Sequence, residues 1–294
     1  MNETTLAEEE WLVFLNSLAW FNLIYGLIGV ITNSFAVFVL INPVFLSFAF
    51  VVYIINIITA DIGSLIVVSV YWNFIYYFSE GKIGYCELFN FVGHCTFSVT
   101  NFSLICFAFE RFLILNFPLK YQAFSRRTVL LLMIFSWGFS LAINIPSIYK
   151  YEEIAVNNHT TCKLAVLDEY FSFAVSILEV GFEWVFPSCI LIILNGGIIF
   201  ALFRRKQISQ TQKSNERAIA QALVLSCFMQ VICPTPRSLM SLLLRYNLID
   251  IKPKLYLSVT TTFMITSYSV NSYIFLMSWS QLRNQYKKIL CLSK

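Results

Sequence analysis

From Trp11 to Ser79 the chain carries a single charged residue, Asp61. No soluble domain leaves so long a stretch without charge, and a bilayer core needs about 20 apolar residues per helix. The stretch therefore fits two membrane spans, divided at Asn42-Pro43, where proline interrupts a helix. Leu88–Phe109, Thr128–Tyr149 and Leu255–Leu282 carry no charge. Tyr170–Phe203 carries only Glu179 and Glu183, and Ala218–Leu244 only Arg237. These runs predict seven spans near 13–41, 47–76, 85–114, 128–149, 170–203, 215–244 and 255–279. They do not alternate polar with apolar, as barrel strands would. Composition agrees: 58% of residues are hydrophobic and 12% charged, against about 25% charged in a soluble domain. A net charge of +4 over 294 residues makes no basic stripe for nucleic acid. The expected fold is an all-α membrane protein with one domain over residues 1–294. No internal repeat is evident.

Lys and Arg are more frequent on one side of these spans, and that side is expected to be cytoplasmic. It holds Arg111, Lys120, Arg126, Arg127, Arg204, Arg205, Lys206, Lys213, Arg217, Arg283, Lys287, Lys288 and Lys294. The opposite side holds Lys82, Lys150, Lys163, Arg237, Arg245, Lys252 and Lys254. The N-terminus is thus expected outside and the C-terminus inside, at the plasma membrane. The acidic opening MNETTLAEEE is unlike a signal peptide. Two sequons, at Asn2 and Asn158, fall on the expected outer side and predict glycosylation. A third, at Asn101, lies within span three and reads as a chance match.

The residues inside the spans carry a resemblance. Span three ends in Glu110-Arg111-Phe112, and Pro118-Leu-Lys-Tyr121 follows. Asn33, Asp61, Trp137, Phe186-Pro187, Phe228 with Pro234, and Asn271-Ser272-Tyr273-Ile274-Phe275 then follow in order. Together they resemble the motifs of rhodopsin-like G-protein-coupled receptors, a seven-transmembrane helix bundle with a short amphipathic eighth helix, here 281–290. Departures from the pattern are Ile232 for the family's tryptophan, Ser272 and Phe275 for its proline and tyrosine, and Asn195 for a span-five tyrosine. With the short termini and phenylalanine-rich spans, they look most like the divergent nematode serpentine chemoreceptors.

The resemblance implies roles. Glu110, Arg111, Phe112, Pro118, Tyr121, Pro234, Asn271 and Phe275 would serve activation and coupling to a heterotrimeric G protein, with Arg111 paired to Glu110 at rest. Asp61 would face Asn33, Thr100, Ser267 and Asn271 in a polar switch, with Na⁺ or water among them; no other cofactor is implied. A protonated, hydrogen-bonded Asp61 is the alternative. Cys86 and Cys162 would form the outer disulfide, and Cys291, after a basic amphipathic segment, would accept palmitate.

Glu179 and Glu183 stand four residues apart and share a helix face. They lie outward of Pro187, at the family's ligand depth, with Arg237 one turn outward of Pro234. Two readings stay open: an internal Glu183–Arg237 ion pair, or a charged pocket for a small polar or cationic ligand. Asn90, Gly93, His94 and Phe97 would face the same pocket, with His94 as a packed, neutral wall. Gly93 stands where amine receptors carry an aspartate, and Ile265 where opsins carry the retinal lysine. Neither a biogenic-amine receptor nor a photoreceptor is therefore expected. No metal-ligand spacing, phosphate loop or nucleophile set suggests an enzyme. The sequence favours a chemosensory receptor. The alternatives are a peptide receptor of the same fold or, without the expected filter or repeats, a ligand-gated channel or transporter.

Overall fold

The computed structural model describes residues 3–75, 85–156, 159–164, 169–204, 213–245, 253–278 and 282–283. Span one is the helix Glu3–Leu40. A short turn follows, Pro43–Leu46, in which Asn42 Oδ1 accepts from Val44 N at 3.1 Å. Span two runs as an α-helix over Ala49–Leu65 and continues as a wider π-helix over Ile66–Ile75. Span three is Cys86–Asn116. Span four is Arg126–Asn144, capped by the Ser125 hydroxyl on Thr128 N at 3.2 Å, and ends in a 3₁₀ turn over Ile145–Lys150.

Span five has three parts: Glu169–Ser176, a π-helical stretch over Ile177–Val185, and Phe186–Arg204. Span six breaks at Cys233-Pro234 into Lys213–Ile232 and Thr235–Arg245. Span seven is Pro253–Ser278. Six of these described helices are long and apolar enough to cross a membrane. Span seven, with 26 residues, is also long enough at about 1.5 Å per residue, but serine and threonine make it more polar. Of the expected eighth helix only Leu282 and Arg283 are described. Leu282 is buried, and Arg283 Nη1 bonds the Met277 carbonyl at 2.9 Å.

One element was not expected. After span four, β1 (Tyr151–Val156) pairs antiparallel with β2 (His159–Leu164), placing Glu153 opposite Cys162. Two runs containing β-branched residues about an Asn-Asn pair are a hairpin signal. The Tyr85 backbone N–H, just above span three, donates to Glu153 Oε1, so the hairpin is tethered to the top of that span.

Lipid tails are as apolar as leucine, so close packing and polar bridges hold such helices together. Both are visible. Gly26 and Gly29 of span one lie against Ser69 and Ser269, where a Cβ would collide. Asn22 donates to Asn73 Oδ1 at 3.2 Å and to the Ser258 carbonyl at 2.9 Å, and accepts from Thr262 Oγ1 at 2.8 Å. One amide thus joins spans one, two and seven. Asn56 does the same for spans two, three and four: it donates to Ser103 Oγ at 2.7 Å and accepts from Trp137 Nε1 at 2.9 Å. The main apolar core gathers around Tyr53, Ile54, Leu104, Phe107, Leu191, Ile198 and Leu223. Phe14, Phe21, Phe38, Ile134, Phe135, Ile193 and Phe200 are exposed, and these are the faces a bilayer would cover.

Candidate functional site

Three clusters stand along the bundle. The first is at the π-helical stretch of span five. Pro187 has no N–H, so the carbonyl four residues earlier, Glu183 O, lacks its α-helical donor. Asn101 of span three supplies one, with Nδ2 2.7 Å away. That contact draws the π-helical stretch onto span three and gives Asn101 its role. Glu183 is buried there, and its Oε2 lies 2.7 Å from His94 Nδ1; Glu179 Oε1 lies 3.6 Å from His94 Nε2. The imidazole is therefore held between two carboxylates of span five. His94 is an ion-pair partner of both glutamates, where one of the two sequence readings had paired Glu183 with Arg237. Arg237 Nη1 is buried without a hydrogen-bond partner, and its carbonyl accepts from Tyr256 OH at 2.7 Å.

The remaining expected pocket residues turn elsewhere. Asn90 donates to the Ser147 carbonyl of the turn after span four, at 2.8 Å. A Cβ on Gly93 would meet Val67 Cγ1 of span two at 3.0 Å. Phe97 packs edge-on against Tyr268, with ring centroids 6.5 Å apart. Cys86 is buried and disulfide-bonded. The side chain of Cys162 lies outside the described residues, as do Asn2, Asn158 and Cys291.

The middle cluster centres on Asp61, which is fully buried. Its Oδ1 accepts from Thr100 Oγ1 at 3.0 Å and its Oδ2 from Asn271 Nδ2 at 2.7 Å. Two of the four expected partners are thus in contact. The other two are committed elsewhere: Asn33 Nδ2 donates to the Tyr268 carbonyl at 3.0 Å, and Ser267 Oγ to Gln230 Oε1 at 2.9 Å. Gln230 was not anticipated, although it is one of two amides, with Gln221, in the run before Pro234. At this level of span six, Phe228 and Ile232 face outward, 58% and 47% exposed, while Gln230 is buried. The side chain that reaches span seven is therefore the amide rather than an aromatic ring. At the break itself, Thr235 Oγ1 donates to the Val231 carbonyl at 2.6 Å.

The third cluster, toward the Asn116 end of span three, surrounds Arg111. Its guanidinium carbon lies 5.1 Å from the Phe50 ring centroid and 5.4 Å from that of Phe107, and those two rings are stacked. Glu110 Oε1 accepts from Phe124 N at 2.8 Å, which anchors the inner loop to span three. Phe112 lies against Gly197 of span five, and Phe275 belongs to the buried core beside Phe107. Pro118, Leu119 and Tyr121 are exposed on the loop, Leu119 completely.

A histidine between two carboxylates, a buried aspartate and an arginine between two aromatic rings follow one another along one bundle of seven helices. The sequence pattern of a family of receptors, 7 transmembrane receptor (rhodopsin family), matches residues 32–284. The chain belongs to the rhodopsin family of seven-transmembrane receptors. Its similarity to individual receptors is more limited. It is 33% identical over 79 residues to the tachykinin-like peptides receptor 86C of Drosophila melanogaster, covering 26% of this chain and 15% of that protein. It is 25% identical over 183 residues to the violet-sensitive opsin of Xenopus laevis, covering 58% of this chain and 51% of the opsin. The receptor thus spans about half the length of one relative and less of the other. The resemblance to nematode chemoreceptors is not among these matches.

Proposed function

We propose that this receptor binds a small polar or cationic ligand from the extracellular side and activates a heterotrimeric G protein, and that its role is chemosensory. The observation that carries this reading is the pair of carboxylates, Glu179 and Glu183, held inward on span five against His94. In a membrane interior, ionisable groups are costly and mark functional sites. A ligand cation would enter between spans three, five, six and seven and compete for these carboxylates, with Phe97 and Arg237 as neighbouring contacts. To signal, it must bind the active arrangement better than the resting one. Span six has its bend at Pro234, and swinging there would part Gln230 from Ser267. At the inner end, Arg111 would leave the Phe50–Phe107 rings. Together with the exposed Pro118–Tyr121 loop and the chain between Arg204 and Arg217, it would meet the Gα subunit.

In this reading the N-terminus is extracellular, with Asn2 and Asn158 glycosylated and Cys86 bridged to Cys162. The C-terminus is cytoplasmic, with Cys291 palmitoylated. The Asp61 carboxylate and the buried, unpartnered Oδ1 atom of Asn271, whose amide nitrogen contacts it, are oxygen donors of the kind a hard cation such as Na⁺ takes. Ile265, buried in span seven, offers no amine for a retinal Schiff base, which separates the reading from that of the opsin relative. The likeness to a tachykinin-like peptides receptor favours one second reading, a peptide ligand with a basic group on the same carboxylates.

The test is to express the full chain with each Gα class and measure GTP turnover, with and without Arg111→Ala. Turnover above the Gα baseline that Arg111→Ala abolishes is the expected result. Turnover that is identical in the two chains would overturn the coupling role.

A further inference from the structure

We propose that His94, Glu179 and Glu183 form a proton-binding site between spans three and five, so that extracellular acidity is an input to this receptor in its own right. The reasoning begins with the two nitrogens of one ring. A neutral imidazole has one donor and one lone pair; an imidazolium has two donors. Here a carboxylate faces each nitrogen, Glu183 at 2.7 Å from Nδ1 and Glu179 at 3.6 Å from Nε2. With one proton, on Nδ1, the ring satisfies Glu183 and turns a lone pair toward Glu179. A second proton, on Nε2, converts that repulsion into an attraction and gives both carboxylates a charged partner. The ring is the most accessible of the three groups: the His94 side chain is 22% exposed, against 12% for Glu179 and 6% for Glu183. It stands eight residues below Cys86, about 12 Å along the helix.

The groups around the ring come from every neighbouring element. Span five contributes the two glutamates. On span six Arg237 is the nearest cation, and Tyr268 of span seven lies within electrostatic reach of Arg237, Glu183 and Asp61. On span three Cys95 senses the charge of Glu183 but turns its thiol to the Ser140 carbonyl, and Asn90 is committed to Ser147. Histidine is the side chain of this set whose ordinary titration falls between about pH 5 and 8.

The site is also mechanically placed. The carboxylates sit on the π-helical stretch of span five immediately before Pro187, whose freed carbonyl is held by Asn101 of span three. Loading the proton closes a second tie, through a side chain, beside that backbone tie. Protonation therefore stabilises the arrangement described here, and raising the pH loosens the outer halves of spans three and five from one another. This inference does not rest on the proposed G-protein coupling or on the nature of the ligand.

The experiment uses the full chain in lipid nanodiscs, without ligand or G protein. The sequence has two histidines, His94 and His159, so a His159→Gln background leaves His94 as the sole imidazole. Thermal unfolding midpoints are measured from about pH 5.5 to 8, the histidine range. The midpoint is expected to fall by about 2–4 °C or more across that range, the shift typical of a one-group interaction in a chain of this size. Replacing His94 with Gln, which keeps one donor for Glu183, is expected to flatten the curve, and Glu179→Gln to shrink it. An unchanged pH slope in His94→Gln overturns the proposal. Should His94→Gln not fold, ¹³C-labelled histidine in the His159→Gln chain gives one ring resonance. It is expected to move over the same pH range and to move differently after Glu179→Gln, and a resonance that stays fixed overturns the proposal.

Discussion

Gly197 on span five lies directly against the Phe112 ring of span three. A Cβ at this position would lie 2.6 Å from Phe112 Cδ2 and closer still to Cε2. Gly197→Ala therefore cannot be absorbed without moving the ring. The ring itself is confined: Phe117 meets it edge-on with centroids 6.3 Å apart, and Asn116 reaches the Gly197 carbonyl at 3.4 Å. Overpacking of this kind costs about 1–3 kcal/mol. For a chain of about 150–250 residues or more, each kcal/mol shifts the midpoint by about 2–4 °C. The expected fall in thermal midpoint is thus roughly 2–12 °C, measured on the full chain in detergent. The cause is specific to the ring, so Phe112→Leu in the same chain should recover at least half of the loss, and the two changes should be strongly non-additive. A Gly197→Ala chain as stable as the wild type would refute the reasoning. So would a double variant whose losses simply add, because the steric contact would then not be the cause.

Two further outcomes follow from contacts already described. Asn271→Ala removes the Asp61 Oδ2 donor from a fully buried carboxylate and should cost about 1–3 kcal/mol. Asn33→Ala should leave the Asp61 environment intact, and comparing their unfolding midpoints with and without added Na⁺ separates the two. Phe50→Leu removes one face of the aromatic grip on Arg111, worth about 0.5–2 kcal/mol; ligand-independent nucleotide exchange should rise, and an unchanged basal rate would show that the rings do not restrain the arginine.

The seven helices were legible because uncharged length is a direct consequence of the bilayer as solvent. So was the need of Asp61 for donors, since a lone carboxylate in such a stretch must find them; that Thr100 and Asn271 are among them came only from the family resemblance. Asn33 and Ser267 lie on the right helices but bond elsewhere. Helical periodicity fixes a face and not the rotamer or the depth, and a backbone carbonyl at Tyr268 and an amide at Gln230 were nearer. Gly93 illustrates the same limit: its position in the chain matched a ligand-contacting site, yet its missing side chain opens toward Val67. His94 and the two glutamates were all identified, but their mutual contact depends on how far span five winds, which no residue pattern specifies. The hairpin was present in the sequence as two short runs around Asn157-Asn158 and was outweighed by the helical signal on either side. Gln230, Asn22, Asn56 and Asn101 shared one overlooked signal: an amide in an apolar span needs a partner on another helix.

The π-helical stretch at Ile177–Val185 has a consequence for how such a receptor can diverge. A wide turn accommodates residues that a regular helix of the same length would not need. Deleting one residue from it would tighten the turn and rotate everything outward of the lesion by about 100°. Glu179 would leave His94 while Glu183 and the inner half of the helix kept their positions. A shift in chain length, with every remaining side chain unaltered, could therefore exchange one chemical preference for another. In descendants of this gene, gaps aligned to span five would be as telling about what is sensed as any substitution.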